Sequence, residues 1–452
     1  MKKLFLIGLA GIMALSPTIQ TFADTSEWSA SVLQEGELYG IYPLEWYDED
    51  FTKTISEEKL NSLVSKTAEK LSKLELTLNL NTNVHNSYKP LTHGDVITRL
   101  FSTIAWYDEI TETDAVQYFI DNDLVKDNPK ELQLNNECSV EQAVVLATRL
   151  VEHAYAKFDA GAKGYVYKVE NNGNVVYLVG TIHSGTPDLY PMNHKLKDAF
   201  DKSDLIACEI NPNEEEIQAY IDATIYSDGT TLKDHVDEQT YERIWQAFEL
   251  MGMPEDQKHM ADLSKLWSIR ELFDLYIRAQ HGGIDNEVEA ERALQTMHGV
   301  DNYFINKVDV NKQELIGLET LGSKVDTYVS QSDADKSDEY LSDVINSQID
   351  IILSPEINKE EIIMPETTIA MDLATDVKHW ANGDVDGLLS GIGEDISGCS
   401  RDVNFTNGII KLLESDEEQT CFVMLGAFHF LIDNSVVDLL EAQGYNVVDF
   451  YE

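Results

Sequence analysis

Hydrophobic positions along the 452-residue chain follow two different rules. From Asp24 to about Ala160 they recur at helical spacing, with short polar loops between them and no convincing strand pattern. Three stretches in this part resemble one another: KTISEEKLNSLVSKTAEKL from Lys53, KPLTHGDVITRLFSTIAW from Lys89 and NECSVEQAVVLATRLVEHA from Asn136. Each sets a Ser or Thr just ahead of an acid or Gln and then an amphipathic run. A hydroxyl there accepts from an orphan backbone N–H of the first turn, and an early acid complements the positive helix end. DAVQYFIDNDLVKDNP, between the second and third stretches, is a further amphipathic helix closed by a polar turn. The pattern predicts a helical repeat unit over residues 24–160.

After Gly164 strands and helices alternate. YVYKVENNGNVVYLVG is two β-rich runs about an Asn-Asn-Gly-Asn turn, the strongest hairpin signal in the chain. A helix near 193–201, the strand DLIACEI, several amphipathic helices between about 214 and 308 and the strand ELIGLET come next. Long acidic helices through Trp380, a helix near 402–413, the strand CFVMLG, a last helix and YNVVDF complete the series. This predicts an α/β domain over residues 161–452, its central sheet covered by helices.

Composition and charge bound the setting. With 43% hydrophobic and 9% aromatic residues the chain is that of a folded protein, despite a formal net charge of −48. So negative a surface repels nucleic acid and anionic lipid. MKKLFLIGLAGIMALSPTIQTFADTS reads as a secretory signal peptide ending at Ala23: two lysines, an apolar run from Leu4 to Leu15 too short to span a bilayer, and a small residue before the cut. The mature chain is therefore expected outside the membrane, with no spanning segment. Cys138, Cys208, Cys399 and Cys421 show neither CxxC spacing nor a disulfide framework; Cys208 and Cys421 read as small buried hydrophobes, and export leaves room for one bridge.

The candidate chemistry sits at strand ends. YLVGTIHSG and FVMLGAFHF both leave an apolar strand through Gly-x-x-His, at Gly180 to His183 and Gly426 to His429. Glycine permits unusual dihedrals or close approach, and ligands of open α/β sheets collect at strand carboxyl ends. One such motif alone is better explained by a packing histidine. LIACEI and ELIGLET, however, also carry Glu209 and Glu319 within apolar runs, where an ionised carboxylate costs several kcal/mol unless a cation or donors satisfy it. Arg401 is an evident salt-bridge partner. Two imidazoles and two carboxylates are equally the ligand set of a divalent metal with an activated water. The remaining histidines, His194, His259, His281, His298 and His379, lie in helical or turn-like polar segments without partners at ligand spacing. SDADKSDEY lacks the glycine of a calcium loop and reads as a solvated helix start.

In YLVGTIHSG, LIACEINP, GVDNYFINK from Gly299, LIGLETL, RDVNFTNGIIKLL from Arg401 and the final VMLGAFHFLIDNSVVDLLEAQGYNVVDF, the chain resembles the TraB/PrgY/GumN group, which includes the Tiki metalloproteases. The resemblance implies an exported or surface hydrolase of peptides that needs a divalent ion, manganese or cobalt favoured and zinc admitted. It carries the metal and catalytic roles onto His183, His429, Glu209 and Glu319, with Asp301 and Arg401 in support; of these we take His183, Glu209 and His429 as metal ligands, Glu319 as general base, Arg401 as the oxyanion's partner and Gly180 and Gly426 as supporting, while Asp402 stands where that group usually has Asn. Either glutamate could be the ligand and the other the base. Some relatives lower the activity of a signalling peptide without a demonstrated cleavage, so a non-catalytic surface module that sequesters a peptide is the alternative, and an esterase or other amide hydrolase a third. The helical repeats resemble S-layer homology modules, which bind cell-wall polysaccharide. The stretches matching the polysaccharide-binding arginine read SEEK, THGD and SVEQ here, so wall attachment and a packing role both stay open.

Overall fold

The computed structural model describes residues 25–78, 84–125, 133–253, 257–281, 298–322, 337–353, 373–390 and 400–452. The signal sequence, Cys399 and most of SDADKSDEY lie outside them.

The amino-terminal region is helical throughout its described part: α1 (Ala30–Leu38), α2 (Glu57–Ser72), α3 (His93–Ile104), α4 (Ala115–Asp121) and α5 (Val140–Lys157). The three repeated stretches become α2, α3 and α5, and each is capped by the hydroxyl that the sequence offers. Ser56 accepts from the Lys59 N–H, Thr92 from Asp95 and Ser139 from Gln142, whose side chain bonds back to Ser139 N to close a capping box. Short antiparallel bridges join the segments entering these helices, Thr54 to Ser139 and Thr92 to Glu137, so the caps are held to one another.

Residues 165–449 build a six-stranded mixed sheet from β1 (Tyr165–Asn171), β2 (Asn174–Thr181), β3 (Leu205–Ile210), β4 (Glu314–Glu319), β5 (Thr420–Gly426) and β6 (Val447–Asp449), in the order β4-β3-β5-β2-β1-β6. β1 and β2 form the expected hairpin, and Asn172 and Gly173 turn with φ of 51° and 91°, a left-handed pair that Asn-Gly adopts readily. β2, β5, β3 and β4 run parallel, so their carboxyl ends share one edge.

Side chains of the central strands alternate between two cores. Val179, Ile206, Cys208, Phe422 and Met424 face one cluster; Val176, Leu178, Leu205, Ala207, Cys421, Val423 and Leu425 face the other. The second face is covered by α6 (Ser400–Leu413) and α7 (Val436–Ala442). The first is covered by α8 (His194–Asp201), α9 (Val300–Ile305) and Trp380, and the same cluster continues without a break into the amino-terminal helices. Residue 160 thus marks a change of pattern while the packing runs across it. Helices between β3 and β4 pack with the helix Asp338–Leu353, which follows β4, into a separate core that sets Phe248 and Phe273 with Ile345 and Ile349. Cys138, Cys208 and Cys421 are buried free thiols. No described helix is long and apolar enough to cross a membrane.

Candidate functional site

β2 and β5 are neighbours in register, Gly180 beside Leu425 and Thr181 beside Gly426, so the two Gly-x-x-His turns leave the sheet side by side. The Ala427 N–H donates to the Thr181 carbonyl at 2.8 Å, and a Cβ on Gly180 would stand 3.1 Å from the Ala427 Cα. Glycine at 180 is what permits this approach. Gly426 lies at the centre: a Cβ there would be 3.4 Å from Glu209 Oε1 and 3.8 Å from His183 Nε2, with the His429 ring at 3.7 Å. The structure therefore brings together His183, His429 and Glu209, which the sequence placed on three separate strands, and adds Glu319 at the carboxyl end of β4 through Arg401.

Each histidine is oriented by an aspartate from a helix start, and the two helices lie on opposite faces of the sheet. Asp301, in the first turn of α9, holds His183 Nδ1 at 2.8 Å. Asp402, in the first turn of α6 and almost fully buried, holds His429 Nδ1 at 2.8 Å. Carboxylates accept only, so both rings donate from Nδ1 and, when neutral, carry the lone pair on Nε2. Carboxylates placed in this way behind imidazoles fix ring and tautomer at metal centres. Phe405 packs edge-on against His429, ring centres 5.0 Å apart.

The carboxylates are tied to one cation. Arg401 Nη2 donates to Glu209 Oε2 at 2.7 Å and its Nε to Glu319 Oε2 at 3.0 Å, with the guanidinium over Phe405. Glu209 Oε1 accepts the Gly426 N–H at 3.0 Å. Burial pushes the Glu209 carboxyl up, but the Arg401 charge, the Gly426 N–H and His429 outweigh it and hold the group down at about 2. Burial also opposes the Arg401 charge, and the two carboxylates raise its pKa nonetheless. Arg401 is thus a structural clamp first, two of its three nitrogens being committed. Burial pushes the thiol of Cys208, beside Glu209, up to about 12.

A divalent ion is testable against this donor set. His429 Nε2 and Glu209 Oε1 face each other at 3.8 Å, inside the roughly 4.2 Å that two ligands at about 2.1 Å from one ion can span. With His429 neutral both are acceptors, and a cation between them would relieve the opposition. Glu319 fits less well as a ligand, since Arg401 holds its Oε2. Among the described residues no group of three or more His, Cys, Asp and Glu side chains already stands at metal-holding separations, so His183 would have to close on the other two.

Asp402 is the residue that sequence reasoning missed as a partner: it follows Arg401 directly, but nothing in the spacing tells that it lies under His429. His298, which has no partner at ligand spacing in the sequence, is buried, with Nε2 at 3.0 Å from Glu37 Oε1. His379 likewise has a partner, Asp384, at 2.7 Å.

Fold and site together define an open α/β sheet protein with a cluster of histidines and carboxylates at its strand carboxyl ends. Residues 165–449 match the TraB/PrgY/gumN family, and the chain belongs to that family. Comparison with curated proteins and with solved structures gives no match.

Proposed function

We propose that the protein is an exported, cell-wall-associated hydrolase of peptide bonds that works with a divalent metal, manganese or cobalt before zinc. The observation that carries this reading is the pair of Asp-backed histidines meeting Glu209 at Gly426. His183, His429 and Glu209 would hold the ion, which when bound supplies a water acidic enough to be deprotonated near neutral pH. Asp301 and Asp402 keep both Nε2 atoms aimed inward. Glu319, held in place by Arg401, would serve as the general base, and the Arg401 charge beside it would favour negative charge on an attacked carbonyl oxygen. Glu209 is the better ligand of the two glutamates, because it faces His429 and stays ionised far below neutral pH.

The test is cleavage of a peptide library by metal-depleted protein and by protein reloaded with Mn(II), Co(II) or Zn(II). Turnover restored by one ion and lost by 10²-fold or more in Glu319→Gln supports the reading. No turnover with any ion, alongside retained peptide binding, favours a second one, a surface module that sequesters a peptide. Arg401 pairing with both glutamates is compatible with that second role, since a closed ion-pair network needs no chemistry. For the helical repeats we propose wall attachment, to be read by pull-down with purified wall polysaccharide; absence of binding would leave them a packing role.

A further inference from the structure

The helical region lies outside the segment matched to the family, yet it grips the turn that carries His183. Residues 298–301 and 182–185 run against each other backbone to backbone. The Val300 N–H donates to the Ile182 carbonyl at 2.9 Å, a Cβ on Gly299 would stand 2.4 Å from the His183 carbonyl oxygen, and one on Gly185 would stand 2.3 Å from the His298 carbonyl oxygen. Asp301, which orients His183, follows Val300 directly. The segment is anchored at His298: its carbonyl accepts the Tyr190 hydroxyl at 2.7 Å, and its buried ring ends on Glu37 of α1. At the far end of α9 the hold is repeated: Glu35, also on α1, pairs with Lys307, two residues past Ile305, and accepts from Tyr303 within the helix. On the other flank of the His183 turn, buried Lys70 of α2 donates to the Pro187 carbonyl at 2.6 Å and Lys73 pairs with Asp188.

We propose that Glu37 is a positioning residue for the candidate site: through His298 it fixes the segment that places Asp301, and so sets the tautomer and aim of His183. A carboxylate accepts only, so Glu37 also fixes His298 as the Nε2–H form. The helical region is then part of the site's supporting structure, with α1 bracing the His183 turn on one side and α2 on the other. Its action is on geometry alone, and no proton is transferred along the chain of contacts. The proposal rests on His183 belonging to the proposed site, but its reading does not depend on turnover.

The experiment uses the full mature chain, labelled with ¹⁵N-histidine and free of metal, at about pH 8.5, two units above the ordinary imidazole value of ~6.5. Long-range ¹H–¹⁵N spectra report the His183 tautomer, assigned by loss of its signals in His183→Gln. Wild type is expected as the Nδ1–H form. Glu37→Ala should populate both tautomers and weaken Mn(II) binding about 10-fold, the low end for loss of an outer partner. Glu37→Gln, which keeps an accepting oxygen, should restore both readings toward wild type. Arg99→Gln cuts a Glu57–Arg99–Asp95 network elsewhere in the helical region and should leave His183 unchanged. If Glu37→Ala does not fold, His298→Phe breaks the same contact from its other end and is read in its place. An unaltered His183 spectrum in the contact-breaking variant, or an equal change in Arg99→Gln, overturns the proposal. Should wild type bind no Mn(II), the metal reading fails by itself and the tautomer still decides the role of Glu37.

Discussion

A carboxylate inside an aliphatic strand needs a reason to be there, and at Glu209 the reason is a cation, a backbone N–H and an imidazole arranged around both oxygens. The consequence has a sign. Glu209 titrates lower in the folded chain, at about 2, than the ~4.3 of an unfolded glutamate, so its contribution to stability is fully present above ~4.3 and is lost as pH falls toward 2. Arg401→Met, which leaves two carboxylates unpaired, should cost about 3 kcal/mol at neutral pH, and the gap from wild type should close as pH approaches 2. Urea unfolding at about pH 7 and pH 3 measures both; a gap constant with pH would mean that the ion pair is not what holds Glu209. Asp402→Ala should release the His429 ring and weaken metal binding about 10- to 100-fold, while Asp402→Asn, which still accepts from Nδ1, should cost far less. Titration calorimetry with Mn(II) separates the two. At this scale His183, His429, Glu209, Glu319 and Arg401 were legible in sequence, because a glycine ahead of a histidine and an acid inside an apolar run are local anomalies. Asp402 was not: its partner lies across a tertiary contact, and an acid in the first turn of a helix is ordinary.

Among the elements, the glycines decide how closely strands and turns can meet. Gly426→Val would put a side chain where His183, His429 and Glu209 converge; it should abolish metal binding with little change in the circular dichroism spectrum, since the space filled is the site itself. Gly299→Ala meets backbone at 2.4 Å and should lower the melting temperature, because the α9 segment and the His183 turn must separate. Equal stability losses in both variants would contradict this division. The hairpin, the parallel strands and their helices could be read from period and turn chemistry. β5 reads as an almost unbroken apolar run because both of its faces are covered, and β2 turns buried on both faces only near its carboxyl end. The strand order could not be read: β5 enters between β2 and β3 although it is far from both in sequence, and no local pattern encodes that insertion.

For the whole molecule, the sequence marks a border near residue 160 that the packing ignores. Tyr39, Phe101 and Val151 on one side belong to the same apolar cluster as Val179, Phe304 and Trp380 on the other. A fragment starting at Gly161 should therefore expose a large apolar face and bind a hydrophobic dye or aggregate; a monomeric fragment with the wild-type melting temperature would show that the shared core is dispensable. The border was legible because repeat and strand patterns differ. The seam was not, because Glu35, Glu37 and Lys70 look like solvated helix charges until their partners in the α/β domain are known. What joins residue, element and molecule is the claim that His183 and His429, aimed from opposite faces of one sheet, hold a single ion with Glu209. Elemental analysis of extensively dialysed protein tests it most directly. About one equivalent of a divalent metal is expected in wild type and in Glu319→Gln, and little in His183→Ala or His429→Ala; wild-type metal content in both histidine variants would contradict it.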